Sequence, residues 1–563
     1  MESLDGTNWD VVIAGTGIQQ SLLALALSRS GKGVLHVDRN AYYGGAEAAF
    51  SLQEAEEWVE KVEKQGGVDT YFSHASIRKN LEHTGEKAGL GPSRAYTLSL
   101  SPNLVYTRST LLPVLVSSRC TANEQLGFQA VGSWFVYSGW AAPGDSDTST
   151  THIDSHLLRV PNGREDVFAD TTLDLRTKRS LMKFLRFVGE YENQPEIWEQ
   201  HRKKAFPAFL LDQFKFPTAS HAPLLALTMS PDPPSETSTE FALPRIARHL
   251  RSIGLFGAGF GAVIPKFGGL AEITQVASRA SAVGGGVNVL RNGARGVNYK
   301  VQQTPTRPSE GDAQRNLSEP GSGDAQTALI VQLDGGETVY ADWLVGQDAD
   351  LPLATQKYTI GSKPRRPSVA LKSITIVDSP LSSLFPRTSD SSPQPAGAVV
   401  VFPSRALSSD QATDTSPETP PVHVVVHSGD TGECPAGQCV LYASTALPAS
   451  SGLPLLDSAI VALLVGVQED PKPCILFSMQ YQQQSGDTSS VAAAAEDSPA
   501  AARVLQFPSP DLDVVLSDDI VSNVETAWKG IMGDDAVDFM RFEARDGGGG
   551  EEDEDEGVSY GPP

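Results

Sequence analysis

The feature that most constrains this chain is a glycine turn between a buried strand and a helix, close to its start. Val11-Val12-Ile13-Ala14 is a β-rich apolar run, and Gly15-Thr16-Gly17 makes the tight turn that follows it. Ile18 to Ser30 has helical character, with Leu22, Leu23, Ala26 and Leu27 able to cover a sheet. Gly31-Lys32-Gly33 ends that helix, and Val34-Leu35-His36-Val37 supplies the next strand. Two such strands joined by a helix form a βαβ unit of the nucleotide-binding type, which predicts an α/β fold.

Gly15 and Gly17 fill the first two places of the dinucleotide fingerprint G-x-G-x-x-G, and Asp38 ends the second strand 21 residues after Gly17. In that motif the first glycine makes the turn and the second lets a pyrophosphate approach the helix N-terminus. The acidic residue binds a ribose hydroxyl. Gln20 stands where the third glycine would be. The fold signal is therefore intact and the cofactor signal damaged, which leaves bound FAD and a relic of the fold equally open. Ala341-Asp342-Trp343-Leu344-Val345-Gly346 resembles the strand-to-glycine element of two-dinucleotide-domain flavoproteins, a mark of fold rather than of chemistry. Gly533-Asp534 is a weak candidate for a segment closing over a flavin.

The rest of the 563 residues reads as an interrupted version of that domain. A first α/β part spans 1–138, a mostly helical domain is inserted over 157–253, and the α/β domain resumes over 254–540. Leu173 to Tyr191 carries Leu181, Phe184, Leu185 and Val188 at helical spacing, and a second helix is predicted around Pro244 to Ile253. Ile264 to Leu290 reads as strand, helix, strand. Segments 303–327, 379–396, 406–420 and 484–501 are rich in Ser, Pro, Asp and Thr and read as flexible insertions between strands such as Val369–Val377, Val422–His427 and Ile475–Tyr481. Residues 541–563 read as a solvated, disordered tail holding the acidic run Glu551 to Glu556.

Composition narrows the function. A formal charge of −24 speaks against nucleic acid as a partner, because phosphate binding needs a basic surface. Cys434 and Cys439 have no second pair to make a zinc site, so reduced thiols in the cytosol are expected. The acidic start carries no secretory signal, and the apolar run Ala459 to Val467 is too short to span a bilayer. A cytoplasmic protein follows, reaching membranes transiently and through a partner. His423 and His427 lie in a strand-like run with no third ligand nearby, so core histidines rather than a metal site are expected. No catalytic constellation is apparent, neither a G-x-S-x-G elbow nor a Walker loop.

Two segments far apart in the chain carry a resemblance. Asp38-Arg39-Asn40-Ala41-Tyr42-Tyr43-Gly44-Gly45 is similar to a segment of the family of Rab GDP-dissociation inhibitors and Rab escort proteins. Pro265-Lys266-Phe267-Gly268-Gly269-Leu270-Ala271-Glu272, followed by Gln275, Arg279 and Ser281 to Gly286, resembles a second, more loosely. The resemblance implies a flavoprotein-like (FAD/NAD(P)-binding type) Rossmann-related domain that has lost its flavin, so no cofactor is expected. It also implies a Rab-binding platform made of Tyr43, Glu272 and Arg279. An exposed aromatic beside a carboxylate and a guanidinium is the composition of an interface hot spot. Length, insertions, the acidic tail, Arg176 to Leu185 and Cys434 to Gln438 point to the escort branch. Its members hold GDP-bound Rab for a catalytic Rab geranylgeranyltransferase heterodimer and then shield the geranylgeranyl groups. A dissociation inhibitor and a FAD-dependent oxidoreductase are the alternatives.

Overall fold

The computed structural model describes residues 3–65, 71–80, 89–120, 126–140, 155–161, 174–257, 259–302, 326–352, 358–360, 368–387, 394–407, 418–485 and 503–542. Strand Asn8–Ala14 lies between two parallel neighbours, Val34–Asp38 and Thr338–Gln347. Val287–Leu290 extends the sheet in parallel beyond Val34–Asp38, and Val504–Phe507 runs parallel to Thr338–Gln347. Antiparallel strands Gln326–Leu333 and Ala294–Gln302 complete that side. The mixed α/β architecture is the expected flavoprotein-like one, with the glycine turn at the carboxyl end of the first strand.

The first helix, Ile18–Arg29, is buried from Ile18 to Ser28. It is buried on every side, Gln19, Gln20, Ser21 and Ser28 included, because it is covered by the sheet, by helix Leu270–Val283 and by helix Asp519–Met532. Small residues set the contact with Leu270–Val283. Ser281 Oγ donates to the Ala24 carbonyl at 3.1 Å, and a Cβ on Gly284 would stand 2.9 Å from Ser28 Oγ.

A second sheet, mostly antiparallel, runs in the order Phe72–Lys79, Ile475–Gln484, Val369–Val377, Cys439–Thr445, Val422–Ser428, Gly397–Phe402, Phe128–Trp140, Ala262–Pro265, Val105–Tyr106. Ser155–Arg159 pairs with Phe128–Trp140, so the helical insertion leaves the sheet only after that strand. Helix Ala449–Gly466 packs on this sheet through Leu456, Ala459, Ile460 and Leu463. Its 18 residues and mean hydropathy of 1.6 make it long and apolar enough to cross a membrane by length and composition alone. The apolar run in the sequence underestimates this helix, because Pro454, Asp457 and Ser458 interrupt the run but not the helix.

Four longer helices build the insertion: Leu175–Val188, Phe206–Phe214, Ala222–Thr228 and Thr239–Ser252. Phe184, Phe187, Phe206, Phe209 and Phe214 fill its interior, with neighbouring ring centroids 5.2 to 6.4 Å apart. The last helix begins five residues before Pro244, at Thr239. Pro244 lies in the second turn, past the first four N–H groups, so the helix runs through it without the N–H that would bond the Glu240 carbonyl. Arg245 pairs with the nearly buried Asp513, and Arg248 with Asp518 at 2.9 Å, tying the insertion to the last part of the chain.

One expectation needs correction. Segment 379–396 is not simply a surface insertion: Leu381, Leu384 and Phe385 are buried in the core beneath helix Ala449–Gly466. Ser and Pro obscured three apolar anchors there. The acidic run and most of segments 303–327, 408–417 and 486–501 lie outside the described residues.

Phe184 is fully buried at the centre of the aromatic cluster. Phe184→Ala should cost about 3–5 kcal/mol, read as a lower urea midpoint with no change in exposed-surface properties.

Candidate functional site: a sealed glycine turn beside an exposed charged pair

Gly15 has φ of +85°, a conformation that glycine adopts without strain. A Cβ on Gly15 would stand 2.2 Å from Asp350 Oδ2, and one on Gly17 would stand 2.8 Å from Gln20 Oε1 and 3.1 Å from Glu47 Oε2. The space in which a diphosphate would approach these glycines is therefore filled by the chain's own side chains. Gln20 Nε2 donates to Asp350 Oδ2 at 3.1 Å. The residue that replaces the third glycine thus folds back over the first two, and the first helix still packs closely. Beside the turn lies a cavity of about 390 Å³, lined by Gly17, Arg39, Tyr42, Trp58, Lys61 and Asp350 among others.

Electrostatics point the same way. Burial raises the Asp350 carboxyl to about 8, assisted by the nearby charges of Asp38 and Glu47 and opposed by Arg39. Burial likewise raises Glu47 to about 7, although its carboxylate accepts from the Ile18 N–H at the helix start. One oxygen of Glu47 and the amide oxygen of Gln20 have no partner among the described residues. Burial thus favours the neutral forms of Asp350 and Glu47 near neutral pH, and their carboxyls meet the glycine turn by occupying space rather than by presenting full charges.

Asp38 has become a structural brace. Its Oδ2 accepts from the Thr16 N–H at 2.8 Å and from the Thr16 hydroxyl at 2.6 Å, and its Oδ1 accepts from the Asn40 N–H at 2.7 Å. The Thr16 hydroxyl in turn accepts from the Gly44 N–H at 3.0 Å. Asp38 therefore fixes both ends of the loop that carries Tyr43. Tyr42 turns inward, edge-on to Phe50 at 4.9 Å, and leaves Tyr43 half-buried beside it.

Helix Leu270–Val283 supplies the other two residues named from the sequence. Arg279 Nη2 donates to Glu272 Oε1 at 3.2 Å, across two helical turns of one face. Arg279 keeps 58% of its side chain exposed and Glu272 19%. The Tyr43 hydroxyl is raised by burial and by Asp38, and Arg279 is near enough to oppose that shift. The structure thus brings Arg279 within electrostatic reach of Tyr43 and pairs it with Glu272, while Asp38 acts on Tyr43 and braces the Thr16 turn between Gly15 and Gly17.

Sequence reasoning missed Glu47 and Asp350. The signal for Asp350 was its place just after the strand-to-glycine element, which ends opposite Ala14 in the register. His423 and His427 are core residues: burial lowers His423 to about 4, and His427 Nδ1 lies 2.7 Å from Glu433 Oε2. All four cysteines are free.

A carboxyl whose pKa is higher in the folded than in the unfolded chain binds more protons when folded, so stability falls as pH rises. For Asp350 and Glu47 the window runs from the unfolded values near 4 up to about 8 and about 7 respectively. The melting temperature should decline through that window, and Asp350→Asn, which keeps an acceptor for Gln20, should flatten the decline. Equal slopes in parent and variant would refute this.

A profile of the GDP dissociation inhibitor family matches residues 5–306, more than half of the chain. "Rab proteins geranylgeranyltransferase component A" of Saccharomyces cerevisiae is 33% identical over 49% of this chain and 42% of its own length. The protein of the same name from Candida albicans is 27% identical over 78% of this chain and 59% of its own length. The chain thus spans about half the length of the curated relatives it matches. Among solved structures, a Rab GDI from Plasmodium falciparum aligns with a TM-score of 0.59 at 17% identity, covering 94% of this chain and 99% of that one. An oxidoreductase from Methanosarcina mazei aligns at 0.50 with 12% identity, over 92% and 100% of the two chains. Both show the shared fold, and the match over the first 300 residues decides the family: this chain belongs to the GDP dissociation inhibitor family.

Proposed function

We propose that this chain is a Rab escort protein: it binds newly made, GDP-bound Rab, presents it to the catalytic geranylgeranyltransferase heterodimer and carries the prenylated product to membranes. The reading rests on one observation above all. Arg279, exposed and paired with the mostly covered Glu272, stands within electrostatic reach of Tyr43. An isolated surface pair of this kind contributes about 0–1 kcal/mol to folding, so its arrangement is better explained by a partner than by stability. Tyrosine and arginine are also among the residue types enriched at interface hot spots.

The chain then performs no chemistry of its own and carries no flavin. What supports this is the glycine turn, where Asp350, Gln20 and Glu47 occupy the diphosphate's place. Prenyl transfer is left to the partner heterodimer. A geranylgeranyl chain would be shielded in the helical insertion, each buried CH₂ contributing roughly 0.8 kcal/mol. The cavity beside Ala222, Leu225 and Pro403 holds about 30 Å³, so the helices must part to admit a lipid. The protein is cytoplasmic in this reading, and touches membranes only on delivery.

Titration of GDP-bound Rab tests the platform. Tyr43→Ala and Arg279→Ala should each weaken binding about tenfold, or ~1.4 kcal/mol, and unchanged affinity in both would remove the platform. Reconstituted geranylgeranylation separates the two branches of the family. Stimulation of the catalytic heterodimer is expected; extraction of prenylated Rab from membranes without stimulation would make the chain a dissociation inhibitor. The purified protein should lack the visible flavin band, and stoichiometric flavin would restore the oxidoreductase.

A further inference from the structure

Helix Leu175–Val188 holds five basic side chains and no acidic one. Thr177, Leu181, Phe184, Phe187 and Val188 face the core of the insertion. Arg176, Arg179, Lys183 and Arg186 are exposed, and their spacing of three, four and three residues aligns them in one stripe. Among the described residues, none of the four has a carboxylate within ion-pair distance. Asp174, the exposed cap whose side chain accepts from the Thr177 N–H, acts on Arg176 from farther off, and Lys183 lies 5.4 Å from the Phe214 ring. A stripe of four unpaired cations is a marked exception on a chain of net charge −24.

We propose that this stripe is the docking site of the chain's own acidic run, Glu551-Glu552-Asp553-Glu554-Asp555-Glu556. Charge is the first argument: six consecutive carboxylates match a row of four cations, with no other cationic row needed. Reach is the second. Phe542 is anchored beneath Arg29, 4.7 Å from its ring, and its N–H and carbonyl bond Ser117 and Arg119. Eight residues, four of them Gly547 to Gly550, lie between Phe542 and the run. At ~3.4 Å per extended residue, the run begins up to about 30 Å from Phe542 and ends up to about 50 Å from it.

The stripe falls within that radius. Ser117 ends a helix that starts beside Thr110, and Thr110 bonds Asp518. Asp518 pairs with Arg248, and Arg251 holds the carbonyl of Gly189, the C-cap of the basic helix. Along those links the distance is on the order of 40 Å, at 1.5 Å per helical residue and ~6 Å per side-chain contact, and the straight line is shorter. A linker of this length gives an effective concentration in the millimolar range, so modest charge attraction suffices and the run need not fold. Any acidic partner surface must then displace the tail to reach the helix.

The test uses a fluorescent synthetic peptide with the sequence of residues 547–560, titrated into the full chain at low salt. A second protein carries Glu551 to Glu556 changed to the corresponding amides. The neutral-tail protein should bind the peptide at least tenfold more tightly than the parent. Arg179→Gln, Lys183→Gln and Arg186→Gln placed together in the neutral-tail protein should abolish that binding, as should about 1 M salt, where the screening length is ~3 Å. These side chains are exposed, so an unchanged melting temperature separates lost binding from misfolding. Equal affinity of parent and neutral-tail proteins overturns the proposal, and so does binding that ignores the stripe substitutions. If the neutral-tail protein ignores the peptide but binds phosphatidylserine vesicles, the stripe is a membrane surface and the proposal fails.

Discussion

The contact between the first helix and helix Leu270–Val283 governs most of what has been described. It joins a segment near residue 20 to one near residue 280 through side chains no larger than serine at the points of closest approach. Close-packed interiors tolerate little change in volume, so a larger residue at Ala24 or Ser281 would push the two helices apart. Glu272 and Arg279 would then move relative to the loop that carries Tyr43. Surface chemistry here is set by buried small residues, well behind the surface itself.

Behind that contact, the glycine turn keeps its backbone while the chain's own side chains crowd the two glycines. Gly15 and Gly17 keep the backbone their motif requires, since the turn is needed whether or not a ligand is bound. Asp38 keeps its place as well, but its oxygens now serve Thr16 and Asn40. The site is closed from within by an amide and two carboxyls, held partly neutral by burial. Undoing this would require changes on three separate segments, around residues 20, 47 and 350, which makes the closure robust to single substitutions.

The βαβ unit was legible because its period and its punctuation agree: an apolar run, two glycines, a helical stretch, another glycine pair. The central strands Val369–Val377 and Val422–Ser428 were legible for a related reason, being β-branched runs buried on both faces. Helix Thr239–Ser252 was truncated because Pro244 reads as a start, whereas the helix begins at Thr239 and continues through the proline. Tyr43, Glu272 and Arg279 could be paired only by resemblance, since nothing local says that residues 43 and 279 meet. Asp350 and Glu47 were illegible because their role depends on the space above two glycines, and that space is created by strands far apart in the chain.

The order of strands has a consequence for how the protein is made. Asn8–Ala14 has its parallel neighbour at Thr338–Gln347, and the first helix is covered by Asp519–Met532. At ~5–20 residues per second, these partners leave the ribosome about 15 to 100 s after the segments they cover. During that interval a leucine-rich helix and the open edge of a central strand lack these neighbours. Until Asp519–Met532 emerges, the apolar face and the open strand edge are free to pair with other chains, which makes the interval itself the aggregation hazard.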